Sequence, residues 1–92
     1  MSQPLSGVRV LDLSRLLPGA YASQMLADFG ADVIKIEEPG SGDYGRFMPP
    51  FGEGGMSLYF LAMNRNKRSM TLNLKTDAGC AIFQRLVSQA DV

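Results

Sequence analysis

Hydrophobic and polar positions alternate along this chain with two different periods, and glycine and proline punctuate the changes. Val8-Arg9-Val10-Leu11-Asp12-Leu13 is rich in branched aliphatic residues and opens after Gly7, which predicts a mostly buried strand. In the following SRLLPGAYASQMLADFGAD, Ala22, Met25, Leu26 and Phe29 recur at i, i+3, i+4 and i+7 and so share one helical face. Gly30 then stops the helix, as a residue at ease with positive φ does. DVIKIEE sets Val33, Lys35 and Glu37 against Ile34 and Ile36, the alternation of a second strand.

Residues 39 to 56, PGSGDYGRFMPPFGEGGM, hold six glycines and three prolines and predict a long irregular loop. Loops of that length in a compact domain are uncommon and tend to be functional or mobile. A short helix is expected in SLYFLAMN. RSMTLNLK alternates again, Met70, Leu72 and Leu74 against Thr71, Asn73 and Lys75, and predicts a third strand. Thr76 is the expected N-cap of a last helix with an apolar stripe at Phe83, Leu86, Val87 and Ala90; Gly79 at N3 rules out a capping box. At ADV another strand is expected to begin. The order of elements predicts an α/β fold, a Rossmann-like open, mainly parallel sheet with flanking helices, of which residues 1–92 form one part, cut at its C-terminal end.

Composition narrows the partners. Hydrophobic residues make up 46 % and charged residues 20 % of the 92, the balance of a soluble globular chain. Nine Lys+Arg offset nine Asp+Glu, which argues against nucleic acid or an anionic membrane as a partner. No apolar run approaches the ~20 residues of a membrane-spanning helix, and MSQPLSGVRV lacks the basic start and apolar core of a signal peptide, so a cytoplasmic location is expected. The chain has no histidine and one cysteine, Cys80, in an apolar-periodic segment. That excludes an internal disulfide, the usual zinc sites and His-activated nucleophiles, and predicts for Cys80 the role of a small buried hydrophobe.

Gly40, Gly42 and Gly45 reproduce the G-x-G-x-x-G spacing of dinucleotide-binding loops. The context is wrong for that role: the glycines follow the second strand rather than the first, and they run into Phe47-Met48-Pro49-Pro50, which does not start a regular helix. Three basic stretches are expected near the edge where an open parallel sheet binds ligands, or in its loops: Arg15, Arg46, and Arg65, Lys67 and Arg68 followed by Lys75. Each alone reads as a solvated surface charge.

PLSGVRVLDLSRLLPGAYASQMLADFGADVIKIEEPGSGDYGR, then SLYFLAMNRNKRSMTLNLKTDAG and LVSQADV, resembles the N-terminus of the class III coenzyme A transferases, the CaiB/BaiF family, and among them most of all the formyl-CoA transferases. That family also holds carnitine CoA-transferases and α-methylacyl-CoA racemases. The combination of GxxVLDLS, LADxGADVIKIE, GD with a nearby arginine, and NRNKRSxxLxLK carries the resemblance. It implies that the chain is roughly the first quarter of a longer enzyme, that this enzyme has a large Rossmann-like domain and forms interlocked homodimers, and that acyl-CoA and a carboxylic acid are its substrates without any prosthetic group.

The resemblance also implies that coenzyme A lies along the C-terminal edge of the sheet. The turn after the first strand, with Arg15, Leu17 and Pro18, and the end of the third, Leu72-Asn73-Leu74-Lys75, match the family's contacts, and Arg46 stands beside them as a further candidate cation. For Leu72 and Leu74 core packing accounts for the side chains, so only their backbone need meet a ligand. Several family members carry an arginine just after the second strand's acid; here Glu38 stands there, and an acid repels phosphate. No catalytic residue is expected in this chain. In the transferases an aspartate beyond residue 92 forms an aspartyl-CoA thioester through mixed anhydrides; in the racemases a His and an Asp, also beyond residue 92, move the α-proton. Asp12 and Glu37 read as structural or paired acids. The alternatives to a transferase segment are a racemase segment or a non-catalytic module that associates through an open sheet edge.

Overall fold

The computed structural model describes residues 3–92. Three parallel strands, β1 (Arg9–Asp12), β2 (Asp32–Glu37) and β3 (Lys67–Thr71), lie in the order β1-β2-β3. Val10 is opposite Val33, and Val33 opposite Lys67. Helix α1 (Gly19–Asp28) joins the first two strands, a loop with short helix α2 (Leu58–Met63) joins the second and third, and α3 (Asp77–Val87) follows β3. At the far edge of β1, Val92 N donates to Arg9 O at 3.2 Å and Leu11 N to Val92 O at 2.9 Å, the bond pattern of a parallel bridge. Val92 thus bonds to the outer edge of β1, where the expected strand would lie, though residues 90–92 form no strand themselves.

Local chemistry explains where the elements stop. Gly30, at φ +105°, ends α1 in a Schellman arrangement: Gly30 N donates to Ala27 O at 3.0 Å and Ala31 N to Leu26 O at 3.1 Å. Ser57 caps α2, accepting from Phe60 N, and Thr76 caps α3, accepting from Gly79 N at 3.0 Å. Asp77 in the first turn of α3 and Arg85 in the last complement the helix dipole. Strand β3 is shorter than its alternation predicts. Leu72 N still reaches Glu37 O at 2.9 Å, but β2 ends there and Pro39 has no N–H to extend the ladder, so residues 73–75 turn away.

Two expectations are corrected by packing. Of the apolar stripe on α1, Met25 and Phe29 are 46 % and 53 % exposed, and Ala22 is exposed too; the helix buries Ala20, Ser23, Gln24 and Ala27 instead. Small residues face the sheet because the sheet presents charge there. Lys67 Nζ donates to Ala20 O at 3.0 Å and Ser23 Oγ donates to Asp12 Oδ2 at 2.6 Å, contacts that require the helix backbone to come close. Cys80, expected to be buried, is exposed, its thiol 3.1 Å from Leu74 O, because Gly79 is the α3 residue pressed against the sheet end. In the α3 stripe, Phe83, Leu86 and Ala90 are half-buried and Val87 is exposed. Val10, Ala27, Ala31 and Val33 form the core, with Leu5, Val8 and Leu26 packed against it.

Candidate functional site

Asp12, Lys35 and Glu37 lie on the same face of β1 and β2 as the core residues Val10 and Val33, and all three are buried. Each buried charge has a partner, as burial demands. Asp12 accepts from Ser14 N at 2.8 Å, from Ser14 Oγ, from Ser23 Oγ and from Lys67 Nζ at 3.0 Å. Burial alone would push its carboxyl up, but these hydrogen bonds outweigh it and hold the pKa at about 2. Desolvation in turn lowers the Lys67 ammonium below its ordinary value, with Asp12 opposing.

Lys35 Nζ lies 2.7 Å from Asp43 Oδ2, both side chains only 2 % exposed, and donates to Ser14 O at 3.1 Å. Asp43 Oδ1 accepts from Leu16 N at 3.2 Å and Gly45 N at 2.9 Å. Its carboxyl stays below the usual range because Gly45 N–H and the Lys35 ammonium overcome the effect of burial. Glu37 takes Arg46 in a two-bonded fork, Nε to Oε1 at 2.8 Å and Nη2 to Oε2 at 2.6 Å, which with Ser69 and Asp43 N lowers its pKa to about 2. The same pair raises Arg46, whose guanidinium carbon also lies 4.1 Å from the centre of the Phe60 ring.

These pairs fasten two loops. Ser14 and Leu16 are tied from below by Asp12, Lys35 and Asp43, which holds Leu16 at φ +53°, a left-handed conformation unusual for leucine. Gly42, at φ +71°, packs where a Cβ would meet Glu37 Oε1 at 2.8 Å, so the loop after β2 can close over the ion pair only with glycine there. The glycines of PGSGDYGR therefore serve the path of the chain.

Above the fastened loops, at the C-terminal edge of the sheet, opens a cleft of about 380 Å³. Ser14 and Arg15 border it after β1, Glu37, Glu38 and Asp43 after β2, and residues 72–75 after β3. Five residues singled out from the sequence meet there: Arg15, Leu72, Asn73, Leu74 and Lys75. Leu72 is buried and Leu74 half-buried, so their side chains serve the core as the alternation predicts. Leu17 and Pro18 sit exposed in the same turn as Arg15 but outside the lining. Arg46 borders a neighbouring cavity of about 280 Å³ with Ser69 and Thr71, two of its donors committed to Glu37. Arg15 stacks 4.8 Å from the Tyr44 ring centre, and Lys75 has no ion-pair partner within 4.0 Å among the described residues.

The partnership of Lys35 with Asp43 and of Lys67 with Asp12 is absent from the sequence reading. Its one signal is a charge between branched aliphatic residues in a strand, as at Lys35 and Asp12, and that signal does not say which residue will pair with which.

Residues 5–92 match CoA-transferase family III. The chain is 54 % identical over 95 residues to a succinate–glutarate CoA-transferase of Agrobacterium fabrum, covering 97 % of this chain and 24 % of that protein. It is 47 % identical over 92 residues to a formyl-CoA:oxalate CoA-transferase of Escherichia coli O139:H28, covering 100 % of this chain and 22 % of the relative. A CAIB/BAIF family protein of Brucella suis superposes with a TM-score of 0.89 at 43 % identity, over 99 % of this chain and 25 % of the solved one. The chain thus spans about a quarter of the length of the relatives it matches. On the match over residues 5–92, it belongs to CoA-transferase family III.

Proposed function

We propose that the cleft at the C-terminal edge of the sheet binds coenzyme A, and that the chain is the coenzyme A-binding segment of an enzyme that moves CoA between carboxylic acids. The observation that carries this is the convergence of Arg15 and of Leu72, Asn73, Leu74 and Lys75, from two separate strand ends, on one cleft. Arg15 and Lys75 bring positive charge to its two sides, the first as a planar fork and the second as a point charge, both suited to phosphate. Backbone groups of residues 72–74 meet the edges of the adenine. Leu17 and Pro18, exposed beyond Arg15, border the path toward the thioester. Arg46 contributes from behind, by fixing Glu37 and the loop after β2.

The residues of this chain bind and orient; they do not attack. Asp12, Glu37 and Asp43 are buried, paired and held ionised, so none is free to act as a nucleophile or to exchange a proton near neutral pH. In the full-length enzyme an aspartate beyond residue 92 attacks the acyl-CoA carbonyl, releasing the CoA thiolate and leaving a mixed anhydride. The thiolate attacks the aspartyl carbonyl, releasing the donor acid and leaving an aspartyl-CoA thioester. The acceptor carboxylate repeats the two steps in reverse order and leaves with CoA. Substrates are an acyl-CoA and a carboxylic acid, no prosthetic group takes part, and the full-length protein is a homodimer of the cytoplasm.

Calorimetric titration of the 92-residue chain with coenzyme A tests the reading. Saturable heat that weakens in Arg15→Gln and Lys75→Gln is expected. The absence of binding at millimolar ligand would overturn it. The chain alone is expected to transfer no CoA between succinate and glutarate; turnover by the purified chain would overturn the assignment of the nucleophile to a later segment.

A further inference from the structure

Taking the cleft as the coenzyme A site proposed above, we infer that Glu38 sets its affinity for phosphate: its carboxylate holds the Arg15 guanidinium at the cleft, and a ligand phosphate binds by taking Arg15 from it. Five charged side chains border the cleft, Arg15, Glu37, Glu38, Asp43 and Lys75. Two of the three carboxylates are satisfied from behind, Glu37 by the Arg46 fork and Asp43 by buried Lys35. Glu38 alone is paired with a cation of the cleft itself. Its Oε2 lies 3.5 Å from Arg15 Nη2, the two side chains 39 % and 46 % exposed. The contact bridges the turn after β1 to the end of β2, and Tyr44 steadies the guanidinium on its own side.

Magnitudes favour exchange. A half-exposed pair at that separation is among the weak ones, whereas phosphate offers arginine a short, two-bonded, charge-assisted contact. The Glu37–Arg46 fork is shorter and its carboxylate is buried, so Arg46 stays where it is and Arg15 is the arginine a ligand can recruit. Glu38 therefore lowers the affinity for phosphorylated ligands by an amount that depends on Arg15 being present.

The test is a double-mutant cycle on the 92-residue chain, with coenzyme A as the calorimetric probe and thermal melts to establish that each variant is folded. Glu38→Gln is expected to tighten binding about 3- to 5-fold, and to change it less than about 2-fold in the Arg15→Gln background. Glu38→Asp, charged but one methylene short of Arg15, is expected to follow Glu38→Gln; direct repulsion alone would leave it near wild type. The Arg15 Nε–H resonance is expected to move on adding coenzyme A to the wild-type chain. An equal gain from Glu38→Gln in both backgrounds, or no gain in either, overturns the inference while leaving the site in place. If wild type and Glu38→Gln both bind no coenzyme A, the site itself falls and the inference with it.

Discussion

Lys67 Nζ donates to Asp12 Oδ2 and Ala20 O, each at 3.0 Å, and to Asn64 Oδ1 at 2.8 Å, which uses all three of its protons and joins β1, α1 and the end of α2 through one buried atom. Such a pair adds little over a well-packed apolar one, but removing one member strands the other in low dielectric. Lys67→Met is therefore expected to cost about 3 kcal/mol, read from urea midpoints, and the further change Asp12→Asn to recover part of it. A loss below the effect of an ordinary surface substitution would contradict the pairing. The carboxylates also set the acid limit of the fold. Asp12 and Glu37 have folded pKa values of about 2, below the 3.8 and 4.5 of the free groups, so their contribution is complete above about 4.5 and disappears as pH falls toward 2. Melting temperatures are expected to be flat from pH 7 to about 5 and to fall steeply below about 4; Asp12→Asn should make that fall shallower. An unchanged slope in Asp12→Asn would remove Asp12 from the account.

At the scale of elements, α3 is set by one contact. A Cβ added at Gly79 would stand 1.8 Å from Asn73 O, and backbone cannot yield as a side-chain tip does. Gly79→Ala would gain about 1 kcal/mol of helix propensity in open surroundings. Here it is expected to destabilise instead and to shift the backbone at Asn73, which borders the cleft, so chemical shifts of residues 72–75 and coenzyme A affinity should change together. Stabilisation by Gly79→Ala would mean that α3 does not press on Asn73. The elements themselves were largely legible in the sequence, since period and cap act locally: Gly30, Ser57 and Thr76 fall at helix boundaries, and three alternating runs became the three strands. What period does not carry is which face of an element a neighbour will cover. Lys35 and Glu37 alternate with isoleucine as a solvated face would, yet both are buried, Lys35 against Asp43 and Ser14 O and Glu37 against Arg46 and Ser69. At the cleft, parallel topology points to Arg15 and Lys75 because it brings strand ends together, whereas only the family resemblance points to Leu72, Asn73 and Leu74. The commitment of Arg46 to Glu37 and of Arg15 to Glu38 was not legible, because ion pairing across loops depends on how far each loop folds back.

Across the whole molecule, apolar side chains left uncovered are as informative as the core. Tyr21, Met25 and Phe29 stand four residues apart along α1 and its C-cap, the spacing of one helical ridge, and each is about half exposed, as is Leu17 in the turn before the helix. A second group, Phe47, Phe51, Met56, Leu58 and Leu61, is exposed along the loop and α2. Exposed apolar residues scattered singly need no explanation, but contiguous ones mark surfaces that other protein covers. Relatives about four times as long as this chain supply more polypeptide than the 92 residues contain, and with it material for such cover. Alone in solution, the chain is expected to bury part of this surface against its own copies. Sedimentation velocity should therefore show a mass that grows with concentration. Met25→Gln with Phe29→Gln should reduce that growth while leaving the melting temperature nearly unchanged, because neither side chain belongs to the core cluster. A single monomeric species at every concentration would count against the surface argument, and a large loss of stability in the double variant would place the ridge in the fold of this chain rather than at its boundary.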